Sequence, residues 1–181
     1  FLITVNSQRL VTAAWSSNTH ENTAICTASG QQSALQIVGD GVGGAIITWE
    51  DARSGISNSD IYAQRIDGDG SVQWTKDGIP ICAEVNAQNS PCIATDGAGG
   101  AVIIWQDFRT NYADLCAQRI NKNGELLWAK DGVLVCGTSG AQSAPVIVDD
   151  GVGGVIVAWQ DFRRNYADLY AQRVDGSGKI A

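Results

Sequence analysis

From Ala101 to Asp107 the chain reads Ala-Val-Ile-Ile-Trp-Gln-Asp, apolar at odd and even positions alike until Gln106. That is the pattern of a strand covered on both faces rather than one facing water. The same stretch of chain predicts three companions. Pro91–Thr95 precedes it across the turn Asp96-Gly97-Ala98-Gly99-Gly100, and Asp114–Ile120 follows across the loop Phe108–Ala113. Asn121-Lys122-Asn123-Gly124 then carries an Asn-Gly hairpin signal. It predicts a return strand over Glu125–Ala129 that continues through Asp131-Gly132 into Val133–Cys136. No stretch sustains a helical period, and the glycine-rich punctuation argues against helices.

This four-strand pattern recurs. Three segments read WEDARSGISNSDIYAQRID (49–67), WQDFRTNYADLCAQRIN (105–121) and WQDFRRNYADLYAQRVD (159–175), and their Trp anchors lie 56 and 54 residues apart (105−49 and 159−105). A period of that size marks an array of supersecondary units, each unable to bury its own apolar faces alone. Leu2–Trp15 aligns without gaps to Leu115–Trp128, and Ser16–Cys26 then matches the end of a fourth strand. Ala181 stands one residue before the position of Trp128. The expected organisation is therefore one repeat domain over 1–181: the end of a partial blade at 1–26, a blade at 27–82, another at 83–136 and an incomplete one at 137–181.

Four-stranded antiparallel units of about 40–50 residues predict an all-β fold, a β-propeller of about three blades plus a partial terminal blade. A β-solenoid is the alternative, but its coils are shorter, about 20–30 residues. Propellers close with roughly four to eight blades, so the expected partners are further blades of the same precursor or a second copy of the chain. The pattern W-[EQ]-D-x-R … D-[IL]-x-A-Q-R-[IV]-[DN] also resembles a class of repeats in secreted or surface-attached bacterial proteins of unknown function. That resemblance covers nearly the whole chain. It implies blade architecture and an extracellular or cell-surface setting, and no particular reaction.

Composition narrows the partners. The net charge of −7 disfavours nucleic acid and anionic membrane surfaces, which need Lys/Arg patches. No apolar run approaches the roughly 20 residues that insert into a bilayer. With no Met and a start at Phe1, the chain reads as processed or as a fragment. Five Cys is an odd number, unusual for an oxidising compartment. Cys26, Cys82 and Cys136 recur at one repeat position, too far apart for mutual bridges; the expectation is buried free thiols, with a Cys82–Cys92 bridge left open. A zinc site is not expected from one His and no CxxC pair. Asp67-Gly68-Asp69-Gly70 is a candidate calcium loop, but its equivalents lose carboxylates; no cofactor is expected.

Residues i and i+2 share a strand face. This aligns Trp49, Asp51 and Arg53, then Trp105, Asp107 and Arg109, then Trp159, Asp161 and Arg163. The Trp supplies a plate between blades, and each Asp is placed to accept from an Arg on a neighbouring strand, for which Arg65, Arg119 and Arg173 are available. A constellation present in every unit reads as architecture rather than catalysis. Function is expected in the loops between second and third strands, where the units differ. There Asn111, Tyr112 and Asp114, with Asn165, Tyr166 and Asp168, form a candidate sugar-contacting set: an aromatic face for the ring, amide and carboxylate for its hydroxyls. The competing reading has the aromatics capping the blade edge. His20, in the polar insert 16–22, reads as a solvated loop residue. The expected function is a non-catalytic binding or scaffold module, for carbohydrate or protein. A glycosidase- or sialidase-like propeller enzyme is the alternative, and it would need an unrepeated carboxylate pair that the sequence does not supply.

Overall fold

The computed structural model describes residues 15–164 and 166–181. Among these the chain forms eleven strands and no helix, arranged in three antiparallel sheets in sequence order. The first sheet holds β1 (Gln32–Gly39), β2 (Ala45–Asp51), β3 (Asp60–Ile66) and β4 (Ile79–Cys82). The middle sheet holds β5 (Gln88–Thr95), β6 (Ala101–Asp107), β7 (Asp114–Ile120) and β8 (Val133–Cys136). The last sheet has three strands, β9 (Gln142–Asp149), β10 (Val155–Asp161) and β11 (Asp168–Val174). In each sheet the strands lie in chain order, so every connection is an antiparallel return. The leading strands β1, β5 and β9 run side by side, β1 against β5 and β5 against β9.

The strand β6 of the middle sheet is apolar on both faces because both are covered. Ala101, Ile103 and Trp105 of β6 pack towards the first sheet, against Ile46, Ile61, Ala63 and Ile81. Val102 and Ile104 point the other way, towards Val155, Val157 and Trp159 of the last sheet. Two cores thus lie between sheets, and Trp105 and Trp159 each sit in one of them. The repeated Trp needs close backbone beside it. Gly132 adopts φ 90°, and a Cβ there would come within 2.5 Å of the Trp105 ring.

Each leading strand bulges at one repeated place. The pairing slips between Ser33 and Gln36 and between Asn89 and Cys92, and Ala34, Ser90 and Ala144 there take positive φ of 49°, 53° and 49°. Three non-glycine residues in the left-handed region at equivalent positions mark a designed bend, since such conformations are costly and persist only where the surroundings fix them.

The structure corrects the sequence reading in three places. The leading strand of the middle unit starts at Gln88 instead of Pro91, because the bulge carries pairing across Ser90. The return strand is shorter than expected: Glu125–Ala129 makes only an isolated bridge, Ile120 to Leu126, and regular pairing resumes at Val133 after Asp131 and Gly132 turn with positive φ. Ser16–Cys26, expected to match the end of a fourth strand, has no strand structure, and the third strand expected from the alignment of Leu2–Trp15 falls on residues 1–14, outside the described residues. All five cysteines are free thiols. Burial pushes the Cys82 and Cys116 thiols up to about 12, so both act as small apolar side chains.

Candidate functional site

One end of the three sheets gathers the residues singled out by the repeat. Gln32 pairs with Asp51 and Asp51 with Asp60, so the start of β1, the end of β2 and the start of β3 meet there, together with the end of β4. At this end Asp51 is fully buried and saturated. It accepts from Trp49 Nε1 at 2.8 Å, from the Arg53 backbone N–H at 2.9 Å, and from Arg53 Nε and Nη2 at 2.8 and 2.7 Å. Asp107 and Asp161 repeat the arrangement with Trp105/Arg109 and Trp159/Arg163. Burial works to raise the Asp51 and Asp107 carboxyls, but the Arg and Trp hydrogen bonds outweigh it and hold both below the usual carboxylate range. For Asp161 the Arg163 hydrogen bonds dominate, in the same direction.

The Arg partner differs from the sequence expectation. Arg65 on the neighbouring strand pairs opposite Ile46, five residues from Asp51 along β2 and so roughly 16 Å away at about 3.3 Å per residue. The Asp instead turns to the Arg two positions on, just past its own strand. Arg65, Arg119 and Arg173 serve the opposite end of the sheets, where they bind Asp40, Asp96 and Asp150 at 2.6, 3.0 and 2.6 Å. Those three Asp residues also hold the turns: Asp40 Oδ1 accepts from the N–H groups of Val42 and Gly44. Each unit therefore repeats two buried-Asp ion pairs, one per end, and neither leaves an oxygen for a substrate.

The first pair is where successive units touch. Arg53 Nη2 lies 3.5 Å from Cys26 Sγ, Arg109 Nη2 is 3.5 Å from Cys82 Sγ, and Arg163 Nη2 is 3.7 Å from Cys136 Sγ. In each case the Cys precedes the unit whose Arg it meets. Arg53 and Arg163 also lie over the rings of Tyr62 and Tyr170, at 3.8 and 3.9 Å from the centroids; Cys116 takes that place in the middle unit.

A second contact between units was missed in the sequence. Trp74 Nε1 donates to Lys122 O and Trp128 Nε1 to Gly176 O, each reaching the hairpin turn of the following unit; Trp15 Nε1 reaches Gly68 O in the same way. Gly70, Gly124 and Gly178 lie under these indoles, and a Cβ at Gly178 would come 2.9 Å from Trp128. The signal was present as the second Trp of the repeat, at Trp15, Trp74 and Trp128.

The variable loops sit at the Asp51 end. Tyr112 and Tyr166 are exposed, 57% and 82%, at equivalent places in adjacent units, and Asn111 is exposed beside Tyr112. Asn165 lies outside the described residues. Asp114 Oδ2 accepts from Thr110 Oγ1 at 2.9 Å, as Asp60 Oδ2 accepts from Ser54 Oγ at 2.8 Å. In the last unit Arg164 replaces that hydroxyl residue and stands 3.9 Å from Asp168 Oδ2. The first unit has no aromatic here; its longer loop exposes Ile56 instead, and burial raises the Asp60 carboxyl. The Asp67 turn, the candidate calcium loop, uses its oxygens internally: Oδ1 accepts from the N–H groups of Asp69 and Ser71, and Oδ2 accepts from Gln73 Nε2. Among the described residues no three His, Cys, Asp or Glu side chains are placed to hold a metal. His20 is exposed in its loop.

No family model matches the chain, and no curated protein sequence does. Among solved structures it is similar to that of a calcium-binding protein, regucalcin, from Agrobacterium tumefaciens, at 16% identity and a TM-score of 0.40. The match covers 83% of this chain and 43% of that one.

Proposed function

We propose that the three sheets are blades of a β-propeller and that the chain is a non-catalytic binding and scaffold module of a secreted or surface protein. The observation that carries the binding part is the pair of exposed tyrosines, Tyr112 and Tyr166, presented at the same end of adjacent sheets beside Asp114 and Asp168. Aromatic faces with neighbouring carboxylate and amide groups suit a carbohydrate, whose ring stacks while its hydroxyls are bonded. The rigid sheets set the spacing of the two loops, and the loops supply the chemistry. Support for a non-catalytic role comes from Asp51, Asp107 and Asp161, in which each carboxylate is committed to its own Arg and Trp. The surface setting rests on the repeat pattern.

The test is binding of the purified chain to an immobilised glycan panel, with and without the double change Tyr112→Ala, Tyr166→Ala. The expected result is at least one glycan bound by the parent chain and a loss of at least tenfold in the variant, with unchanged thermal stability. Equal binding by the two proteins removes the tyrosines from the site. Turnover of aryl-glycosides abolished by a single Asp or Glu change replaces this reading with an enzymatic one.

A further inference from the structure

Asp60, Asp114 and Asp168 open the third strand of the three sheets and stand opposite Asp51, Asp107 and Asp161. In two units this carboxylate has a hydroxyl of its own. Ser54 Oγ donates to Asp60 Oδ2 at 2.8 Å, and Thr110 Oγ1 donates to Asp114 Oδ2 at 2.9 Å. The last unit carries Arg164 where the middle unit carries Thr110, and that hydroxyl is lost. Asp168 Oδ2 is shielded from solvent, and no described residue donates a hydrogen bond to it. A buried oxygen left in that state is costly and calls for a partner. Arg164 Nε, at 3.9 Å, is beyond hydrogen-bond reach.

The cause is local. Asp168 lies opposite Asp161, on the face of the sheet that carries Trp159, and Trp159 packs in one core with Val135 and Cys136 of the middle sheet. Leu169, the next residue, points to the other face. The oxygen therefore belongs to the loop and to the joint with the middle sheet. The two filled units name the chemistry it lacks, a hydroxyl. Tyr166, two residues ahead in the same loop, is 82% exposed.

We propose that Asp168 Oδ2 and Arg164 Nε together hold one hydroxyl of a neutral pyranose whose ring stacks on Tyr166, so that the last loop selects the sugar. This rests on the carbohydrate-binding reading of the tyrosine loops. A hydroxyl donates and accepts at once. One oxygen about 2.7 Å from Oδ2 and about 2.9 Å from Nε spans the 3.9 Å gap and bonds to both. Arg164 has 74% of its side chain in solvent, so it swings aside to admit the hydroxyl and closes on it. The sugar is uncharged because Asp168 already matches the Arg164 charge. A uronate would bring a second carboxylate beside it, to a chain of net charge −7. Asp114 offers no such place, since Thr110 fills it.

The test is binding of the whole 181-residue chain and its variants to immobilised oligosaccharides of glucose, galactose, mannose and glucuronic acid, with a urea midpoint for each variant. The parent chain binds at least one of the neutral oligosaccharides and not the glucuronate. Asp168→Asn weakens that binding about tenfold or more, the scale of one hydrogen bond to a charged group. Position 164 gives a second test that leaves the carboxylate in place. Arg164→Thr brings in the hydroxyl of the middle unit and fills the oxygen; Arg164→Val has the same shape without it. Both lose the guanidinium, so binding about threefold or more weaker in the Thr chain than in the Val chain isolates the filled oxygen. If Asp168→Asn lowers the midpoint, this comparison, made at an exposed side chain, decides alone. Equal binding by the Thr and Val chains, or an Asp168→Asn chain that binds like the parent, overturns the inference; loss of binding in Tyr112→Ala, Tyr166→Ala then leaves the carbohydrate reading standing. Binding of glucuronate alone overturns the neutral class. A parent chain that binds none of the oligosaccharides overturns both readings.

Discussion

The middle and last sheets share nearly one sequence and live in different surroundings. Leu115 and Leu169 occupy the same register of the same strand, yet Leu115 is fully buried and Leu169 is 83% exposed. The Gln118 and Gln172 oxygens each accept the N–H of the Arg that follows, and Gln118 is in addition bonded at both ends of its amide by the Trp128 N–H and Ala129 O. The difference comes from position in the array: among the described residues the middle sheet has a neighbour on each face and a fourth strand, and the last has neither beyond it. In such an array, stability is the sum of unit and interface contributions, so equal residues have unequal weight.

The sharpest way to break the comparison is Trp105→Ala. Removing a fully buried Trp between two sheets lowers unfolding stability by about 3–5 kcal/mol, read as a shift in the urea midpoint. Next is Asp107→Ala, which leaves Arg109 and the Trp105 N–H without their acceptor. Loss of one partner of a buried pair costs about 3 kcal/mol, at the low end because Arg109 keeps some solvent contact. Leu115→Ala costs about 2–5 kcal/mol, while Leu169→Ala changes the isolated chain by no more than about 0.5 kcal/mol. If the two Leu changes cost the same in a chain of 19.1 kDa solution mass, the array description fails.

Acid should act on all three units together. The folded carboxyls of Asp51, Asp107 and Asp161 lie below their unfolded values, so the stabilisation is present above about pH 4 and is lost as pH falls through the lowered folded values. Chemical denaturation repeated from pH 7 down to pH 2 reads the decline, and Asp107→Asn flattens it. The smallest structural effect belongs to Tyr112→Ala with Tyr166→Ala, which leaves the urea midpoint within about 0.5 kcal/mol while removing the proposed ligand contacts.

Much of the architecture could be read from the chain because it is local. The two-faced apolar run Ala101–Trp105 placed β6, the loop Phe108–Ala113 after it placed the start of β7, and both bounds agree with the structure. The short return strand and the early start of β5 were harder, because they depend on a bulge at Ser90 and a turn at Asp131 that no apolar period reports. The ion pairs were misassigned for a related reason: periodicity told which residues share a face, but how far Arg65 lies from Asp51 is fixed by pairing register.

What the sequence determined by itself is the unit and its repetition, since strand period, turn glycines and recurring Trp-Asp-Arg spacing are properties of neighbours along the chain. What only the tertiary structure decided is which Arg serves which Asp, that Trp74 and Trp128 latch onto the following turn, and which of two identical leucines is buried. Those outcomes depend on groups far apart in the chain being brought within a few ångströms, where hydrogen bonding and the exclusion of water act on distance and not on sequence order.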